Sequence, residues 1–256
     1  SEVIYQDLAR KNSAIEPPIW AGMLANSVRS SGGNPAILDA EAENLDFMSC
    51  AKKIYEIKAR IVCFVVYGQQ PSASSQNMEG AVATAKELKN LDPTSFILFV
   101  GGHVSALPAE TLNRELCIDA VCQNEGVYTI RGLVEVEKFN QEAMKKIPGL
   151  CFRNDQGEIE VNPPSKLVAK ADLEVDLPGV AWDLLPPLKR YRTAGWHSWS
   201  NNTEKQPFAA LYTSLGCPYK CSFCMINIIN RTDNSDGVSS ENSNIFRWWN
   251  PEFVIK

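Results

Sequence analysis

Helix-like and strand-like hydrophobic patterns alternate along roughly the first 135 residues. In "PPIWAGMLANSVRSSGG", Pro17 and Pro18 stand where a helix can start, and Gly32 and Gly33 where it can stop. "PAILDA" follows as a short predicted strand. "NLDFMSCAKKIYEIKA" places Phe47, Cys50, Ala51, Ile54 and Ile57 at helical spacing. "RIVCFVVYG" and "SFILFVGG" are unbroken runs of β-branched, aromatic and aliphatic residues, the pattern of strands buried on both faces. Between them "SSQNMEGAVATAKELKNLDP" predicts a helix ended by the turn at Asp92 and Pro93. "LPAETLNREL", "IDAVCQN" and "EGVYTIRGLVEVEKF" continue the series as helix, strand and helix.

Strands alternating with helices imply crossover connections and a parallel, doubly wound α/β sheet. "SEVIY" at the N-terminus has the pattern of only the tail of a strand, so a first central strand is expected upstream of residue 1. Residues 137–206 change character, becoming richer in proline and polar residues. They contain short strand-like pieces at "GLCFRN" and "EIEVN" around the turn "DQG". "DLPGVAWDLLPPL" reads as a connecting segment laid over another surface, with Trp182 and Leu185 as packing anchors. "FAALYTSLG" predicts a new buried strand, and "NPEFVIK" the start of a helix. The expected division is therefore 1–136, an α/β domain; 137–206, a linker with a hairpin; and 207–256, the start of a further domain.

Composition narrows the function classes. The chain has 256 residues, 45% of them hydrophobic, and a formal net charge of −5 with acids and bases interspersed. No basic stripe suggests a nucleic-acid surface. No apolar run approaches the roughly 20 residues that cross a bilayer, and the first residues lack the apolar core of a signal peptide. A cytoplasmic protein is the default expectation. Of the eight cysteines, Cys50, Cys63, Cys117, Cys122 and Cys151 are scattered among apolar neighbours and read as reduced core residues.

The other three are grouped. "SLGCPYKCSFCM" holds Cys217, Cys221 and Cys224 at C-x3-C-x2-C spacing directly after a predicted strand. Thiolates so spaced can wrap one face of a metal centre. A structural zinc site takes four ligands, and no fourth cysteine or histidine lies nearby; His197 is 20 residues upstream of Cys217. A 4Fe-4S cluster also usually takes four cysteines. Three leave one iron open to a substrate.

This loop resembles the signature of the radical S-adenosylmethionine enzymes. The resemblance implies that the three cysteines hold a 4Fe-4S cluster whose open iron binds S-adenosylmethionine, with Tyr219 and Phe223 packed beside that molecule. One electron from the cluster then cleaves it to a 5′-deoxyadenosyl radical. A series of stretches in order, from "PPIWAGMLANSVRSSGG" through "VVYGQQPSAS", "FVGGHVSALPAETL", "IDAVCQNEGVYTI" and "DLPGVAWDLLP", is similar to the cobalamin-binding domain that precedes the barrel in many members of that family. It implies that Gly101 and Gly102 face the nucleotide tail of cobalamin, with His103 beside them, and that Tyr67, Gly68, Gln69 and Gln70 lie near the corrin. The D-x-H-x-x-G motif that supplies a cobalt-ligating histidine elsewhere is missing, so cobalt without a histidine below it is expected.

The resemblance further implies a Rossmann-like cobalamin-binding domain, a linker and the start of a (β/α) barrel. It implies a methyltransferase acting on a small molecule or natural product, with an electron donor such as flavodoxin or ferredoxin. Two rival readings keep the cofactors but not the reaction: a cyclase or rearrangement enzyme, and a cobalamin-binding module without turnover. A methylthiotransferase would need a second cluster from its front domain, and Cys50, Cys63 and Cys117 lack the expected context for one.

Overall fold

The computed structural model describes residues 14–68, 73–193, 207–219, 221, 224, 226 and 246–255. In chain order they form helices α1 (Ile19–Ser30) and α2 (Phe47–Ile57), strand β1 (Val62–Val65), helix α3 (Ala73–Leu91) and strand β2 (Ile97–Val100). Helices α4 (Gly102–Ala106) and α5 (Pro108–Arg114), strand β3 (Ala120–Cys122) and helices α6 (Val127–Glu135) and α7 (Gln141–Met144) follow. The rest comprises β4 (Leu150–Arg153), β5 (Ile159–Val161), α8 (Leu173–Asp176), β6 (Ser214–Leu215), β7 (Arg247–Trp248) and α9 (Pro251–Ile255).

β1, β2 and β3 pair in parallel, and β4 and β5 add an antiparallel hairpin, giving the order β1-β2-β3-β4-β5. Alternation along the strands builds two cores. Leu98, Val100, Ala120, Cys122, Leu150 and Phe152 face α1 and α6, where Met23, Leu24, Val28, Ile130 and Leu133 meet them. Ile97, Phe99, Val121 and Cys151 face the other way, onto Val82, Ala85 and Leu88 of α3, Val104 of α4 and Leu112 of α5. Both crossovers from β1 to β3 lie on this second face, as a sheet that grows in one direction requires. The architecture is the expected doubly wound α/β fold.

Local chemistry sets the ends of the elements. Asp46 caps α2 by accepting the Ser49 amide at 2.7 Å. α1 ends where the Gly33 amide returns to the Val28 carbonyl at 2.9 Å. No helix among the described residues is long and apolar enough to cross a membrane.

Four sequence expectations change. "PAILDA" is not a strand; it runs as loop into the turn at residues 40–44, where the Asp39 carboxylate accepts the Ala42 amide at 3.1 Å. β1, expected to be buried on both faces, is half-buried and, among the described residues, pairs only with β2. The hairpin expected within the linker joins the main sheet instead. "FAALYTSLG" contributes only Ser214 and Leu215 as strand, paired antiparallel with β7, and leaves Leu211 exposed. The "SEVIY" stretch lies outside the described residues.

The segment after α8 crosses α1 as expected, but its anchors differ. Ala181 donates to the Gly22 carbonyl at 3.1 Å, and a Cβ at Gly22 would lie 2.5 Å from Val180 Cγ1. Leu185 is buried, whereas Trp182 is 39% exposed. Arg131 of α6 fastens this layer. It donates to the Ser27 carbonyl and hydroxyl of α1 at 3.2 and 3.0 Å and to the Asp176 carboxylate at 2.6 Å.

Burial opposes ionisation of Asp176, but the Tyr128 hydroxyl at 2.6 Å and the Arg131 guanidinium outweigh it and hold the carboxyl below its ordinary 3.8. A carboxylate with a depressed value contributes stability above its unfolded value and loses it as the folded value is passed on acidification. Urea titrations of wild type and Asp176→Asn should therefore differ most near neutral pH. The gap should close as pH falls below 3.8.

Candidate functional site

Ligands of parallel α/β sheets bind past the carboxyl ends of the strands. At that edge the structure brings together Val66, Tyr67 and Gly68 after β1, Gly101, Gly102 and His103 after β2, and Gln123 to Gly126 after β3. The first two loops touch. A Cβ on Gly101 would lie 2.6 Å from the Val66 carbonyl oxygen and 2.8 Å from its carbon, so only glycine permits the approach. Ser74, fully buried, bridges the same loops: its hydroxyl donates to the Val66 carbonyl and accepts the His103 amide at 2.9 Å.

His103 Nδ1 lies 2.9 Å from the Ser75 hydroxyl. Burial pushes its imidazole below the usual 6.5, which favours the neutral ring. A cleft of about 490 Å³ opens beside it, between α3 and α5, lined by Ser75, Met78, Thr111 and Arg114. A second cavity, about 390 Å³, lies at the opposite end of the sheet beside Val62 and Ser95, away from this edge.

Tyr67 is fixed on both sides. Its hydroxyl donates to the Asn124 carbonyl at 2.5 Å, and its ring lies 4.9 Å from that of Trp20. Asn124 and Gly126 take positive φ of 58° and 74°, which turns the chain sharply after β3. Among the described residues, two buried side-chain atoms here lack a hydrogen-bond partner: Nε1 of Trp20, a donor, and Oε1 of Gln123, an acceptor. Buried polar atoms are normally satisfied, so this edge has hydrogen-bonding capacity to spare. Gln69 and Gln70 lie outside the described residues.

The cysteine loop begins at Gly216, φ 80°, directly after β6. Cys217 and Cys224 are half-buried and Cys221 is exposed, and the Cys224 amide donates to the Cys221 carbonyl at 3.1 Å. Tyr219 is 71% exposed; Phe223 lies outside the described residues. No group of three or more His, Cys, Asp or Glu side chains among the described residues is arranged to hold a metal ion. The three thiols share one short loop. The five scattered cysteines are free thiols, and burial raises all of them, Cys50 to about 11 and Cys63 and Cys151 to about 12.

Two contacts join β6 and its loop to the carboxyl edge of the sheet. Tyr212, just before β6, lies 6.4 Å from Trp20, centroid to centroid. Arg247 of β7, opposite Leu215, donates to Glu125 in the turn after β3 at 2.5 Å. Sequence reasoning singled out none of Trp20, Gln123, Glu125 and Arg247 as site residues. The available signals were an acid immediately after a buried strand in "CQNEG" and an arginine set among bulky apolar residues in "IFRWWN".

A family profile described as "B12 binding domain" matches residues 6–134. The chain belongs to the B12-binding domain family. Within this B12-binding chain, the match takes in all three parallel strands and their carboxyl-end loops.

The chain is 33% identical over 208 residues to the uncharacterized methyltransferase PH0819 of Pyrococcus horikoshii, covering 81% of this chain and 40% of that protein. It is 24% identical over 208 residues to the anaerobic magnesium-protoporphyrin IX monomethyl ester cyclase of a Synechocystis strain, covering 81% of this chain and 38% of that protein. It therefore spans about two fifths of these relatives. Among solved structures, the cobalamin-dependent S-adenosylmethionine radical enzyme OxsB with aqua-cobalamin bound superposes with a TM-score of 0.63. The identity is 18%, over 96% of this chain and 29% of that one, and the likeness establishes a shared fold.

Gly101→Ala should cost about 1–3 kcal/mol in urea unfolding, because backbone must move to admit the methyl group. Gly80→Ala is the control. Its methyl meets open space on helix α3, so it should be neutral or stabilising by up to about 1 kcal/mol.

Proposed function

We propose that this B12-binding chain is the cofactor-binding front of a cobalamin-dependent radical S-adenosylmethionine enzyme, and that the enzyme is a methyltransferase. The observation that carries the reading is the attachment of a C-x3-C-x2-C loop, through Glu125 and Arg247, to the carboxyl edge of a B12-binding sheet.

The residues fit the groups they would hold. Cobalamin is a broad macrocycle fringed with amides, which offer an acceptor to Trp20 Nε1 and a donor to Gln123 Oε1, two of the buried atoms without a partner among the described residues. Gly68, Gly101 and Gly102 keep side chains away from the approach, and Tyr67 would line it. His103, bonded to Ser75, would flank the nucleotide tail rather than ligate cobalt. Cys217, Cys221 and Cys224 are soft thiolate donors suited to iron, and a loop of this kind is completed by its metal. Tyr219 and Phe223 would pack beside S-adenosylmethionine.

When bound, the cluster and S-adenosylmethionine supply a 5′-deoxyadenosyl radical and cobalamin supplies a methyl carrier. The chain's own residues place these groups on one edge and hold Tyr67 and His103 in fixed, uncharged forms there. The substrate class is a small molecule or natural product, the electron donor a flavodoxin or ferredoxin, and the compartment the cytoplasm. A second reading, cyclisation, has the Synechocystis relative in its favour. The Pyrococcus relative is the more similar, which supports methyl transfer.

Anaerobic reconstitution with iron and sulfide in the presence of cobalamin tests the reading. Cobalamin absorbance should co-elute with the protein, and about four irons should load per chain. The paramagnetic signal of the reduced cluster should shift when S-adenosylmethionine is added. Alanine at Cys217, Cys221 and Cys224 should abolish the iron and spare the cobalamin. Iron retained by that triple variant, or stoichiometric zinc in its place, would sink the cluster assignment. A product heavier than its substrate by one methyl group, rather than one with a new ring, separates transfer from cyclisation.

A further inference from the structure

Arg247 has no solvent exposure, and it is the largest side chain so buried among the described residues. Its guanidinium donates to Glu125 Oε1 at 2.5 Å and to the Val168 carbonyl at 2.6 Å. The other carboxylate oxygen of Glu125 accepts the Val168 amide at 2.9 Å. One acid, one base and the backbone N–H and C=O of one residue thus close a cycle linking the turn after β3, the segment before α8 and strand β7.

Such a cycle is not the cheapest adhesive. Taking both charges out of water costs several kcal/mol per ion, and apolar side chains of similar volume often hold a core equally well. What charge-assisted hydrogen bonds add is direction: they fix distance and register where apolar packing tolerates sliding. The elements fixed here are the two halves of the proposed site. On one side, the carbonyl of Asn124, adjacent to Glu125, receives the Tyr67 hydroxyl. On the other, Arg247 pairs with Leu215, two residues before Cys217. Trp249 secures the same strand independently, its indole shared between the Leu173 and Leu177 carbonyls at 3.3 and 3.0 Å.

We propose that Glu125 and Arg247 are positioning residues that set the register of the cysteine loop against the cobalamin-facing edge of the sheet. The inference rests on the function proposed above. Because Trp249 still docks β7, loss of the pair frees the loop without releasing the strand.

The test is the double variant Glu125→Gln with Arg247→Met, which removes both members of the buried pair together and keeps an acceptor for the Val168 amide. Hydrogen exchange in the cofactor-free protein reads the first effect. Amides of residues 214–217 should exchange at least about tenfold faster, while those of β1, β2 and β3 keep their protection. The loaded protein reads the second. Cobalamin should still bind, but the magnetic coupling between cob(II)alamin and the reduced cluster should weaken or become heterogeneous.

Unchanged exchange at 214–217, or unchanged coupling in a fully loaded variant, overturns the proposal. So does loss of protection throughout the sheet, which would make the pair a general stabiliser. Wild type that takes up no cluster defeats the proposed function. The exchange result would then still decide whether the pair holds the loop.

Discussion

A guanidinium shut away from water must be answered by an acid, and in this chain the answer comes from 122 residues earlier. That single demand organises the structure past α6. The turn carrying Glu125 stays tight because Asn124 and Gly126 adopt left-handed backbone. Val168 is drawn across the end of the sheet to share both partners. β7 is then held where β6 can pair with it, and the cysteine loop inherits its place from β6.

The sheet itself obeys simpler rules. Three parallel strands finish at one edge, and their loops come close only where side chains are absent or engaged. Gly101 meets the first condition at Val66; Ser74, His103 and Tyr67 meet the second. The result is an edge with little slack and two unanswered polar atoms, which suits a broad, amide-fringed ligand better than a small ion.

Much of this was legible in the chain. The alternation of helical and extended patterns located β1, β2, β3 and the helices between them, because both periodicities follow from local geometry. The glycine pair and the cysteine spacing stood out for the same reason: each acts over a few residues. What stayed hidden depends on partners. Among the described residues, "PAILDA" has a strand's composition but pairs with no strand, and "FAALYTSLG" has the apolar content of a buried strand but a short antiparallel neighbour. The "GLCFRN" hairpin is identical in pattern whether it stands alone or extends a sheet. Glu125 and Arg247 resemble ordinary surface charges until the fold brings them together.

The burial of four thiols and the half-burial of Cys63 have a consequence for sulfur chemistry. Cys50, Cys63, Cys117, Cys122 and Cys151 are held almost wholly protonated at neutral pH, and a protonated thiol is a poor nucleophile. Exposed Cys221, with Cys217 and Cys224 beside it, is left as the accessible sulfur. Of the eight cysteines, Cys221 is the exposed one, so access decides which sulfur an electrophile or oxidant reaches first.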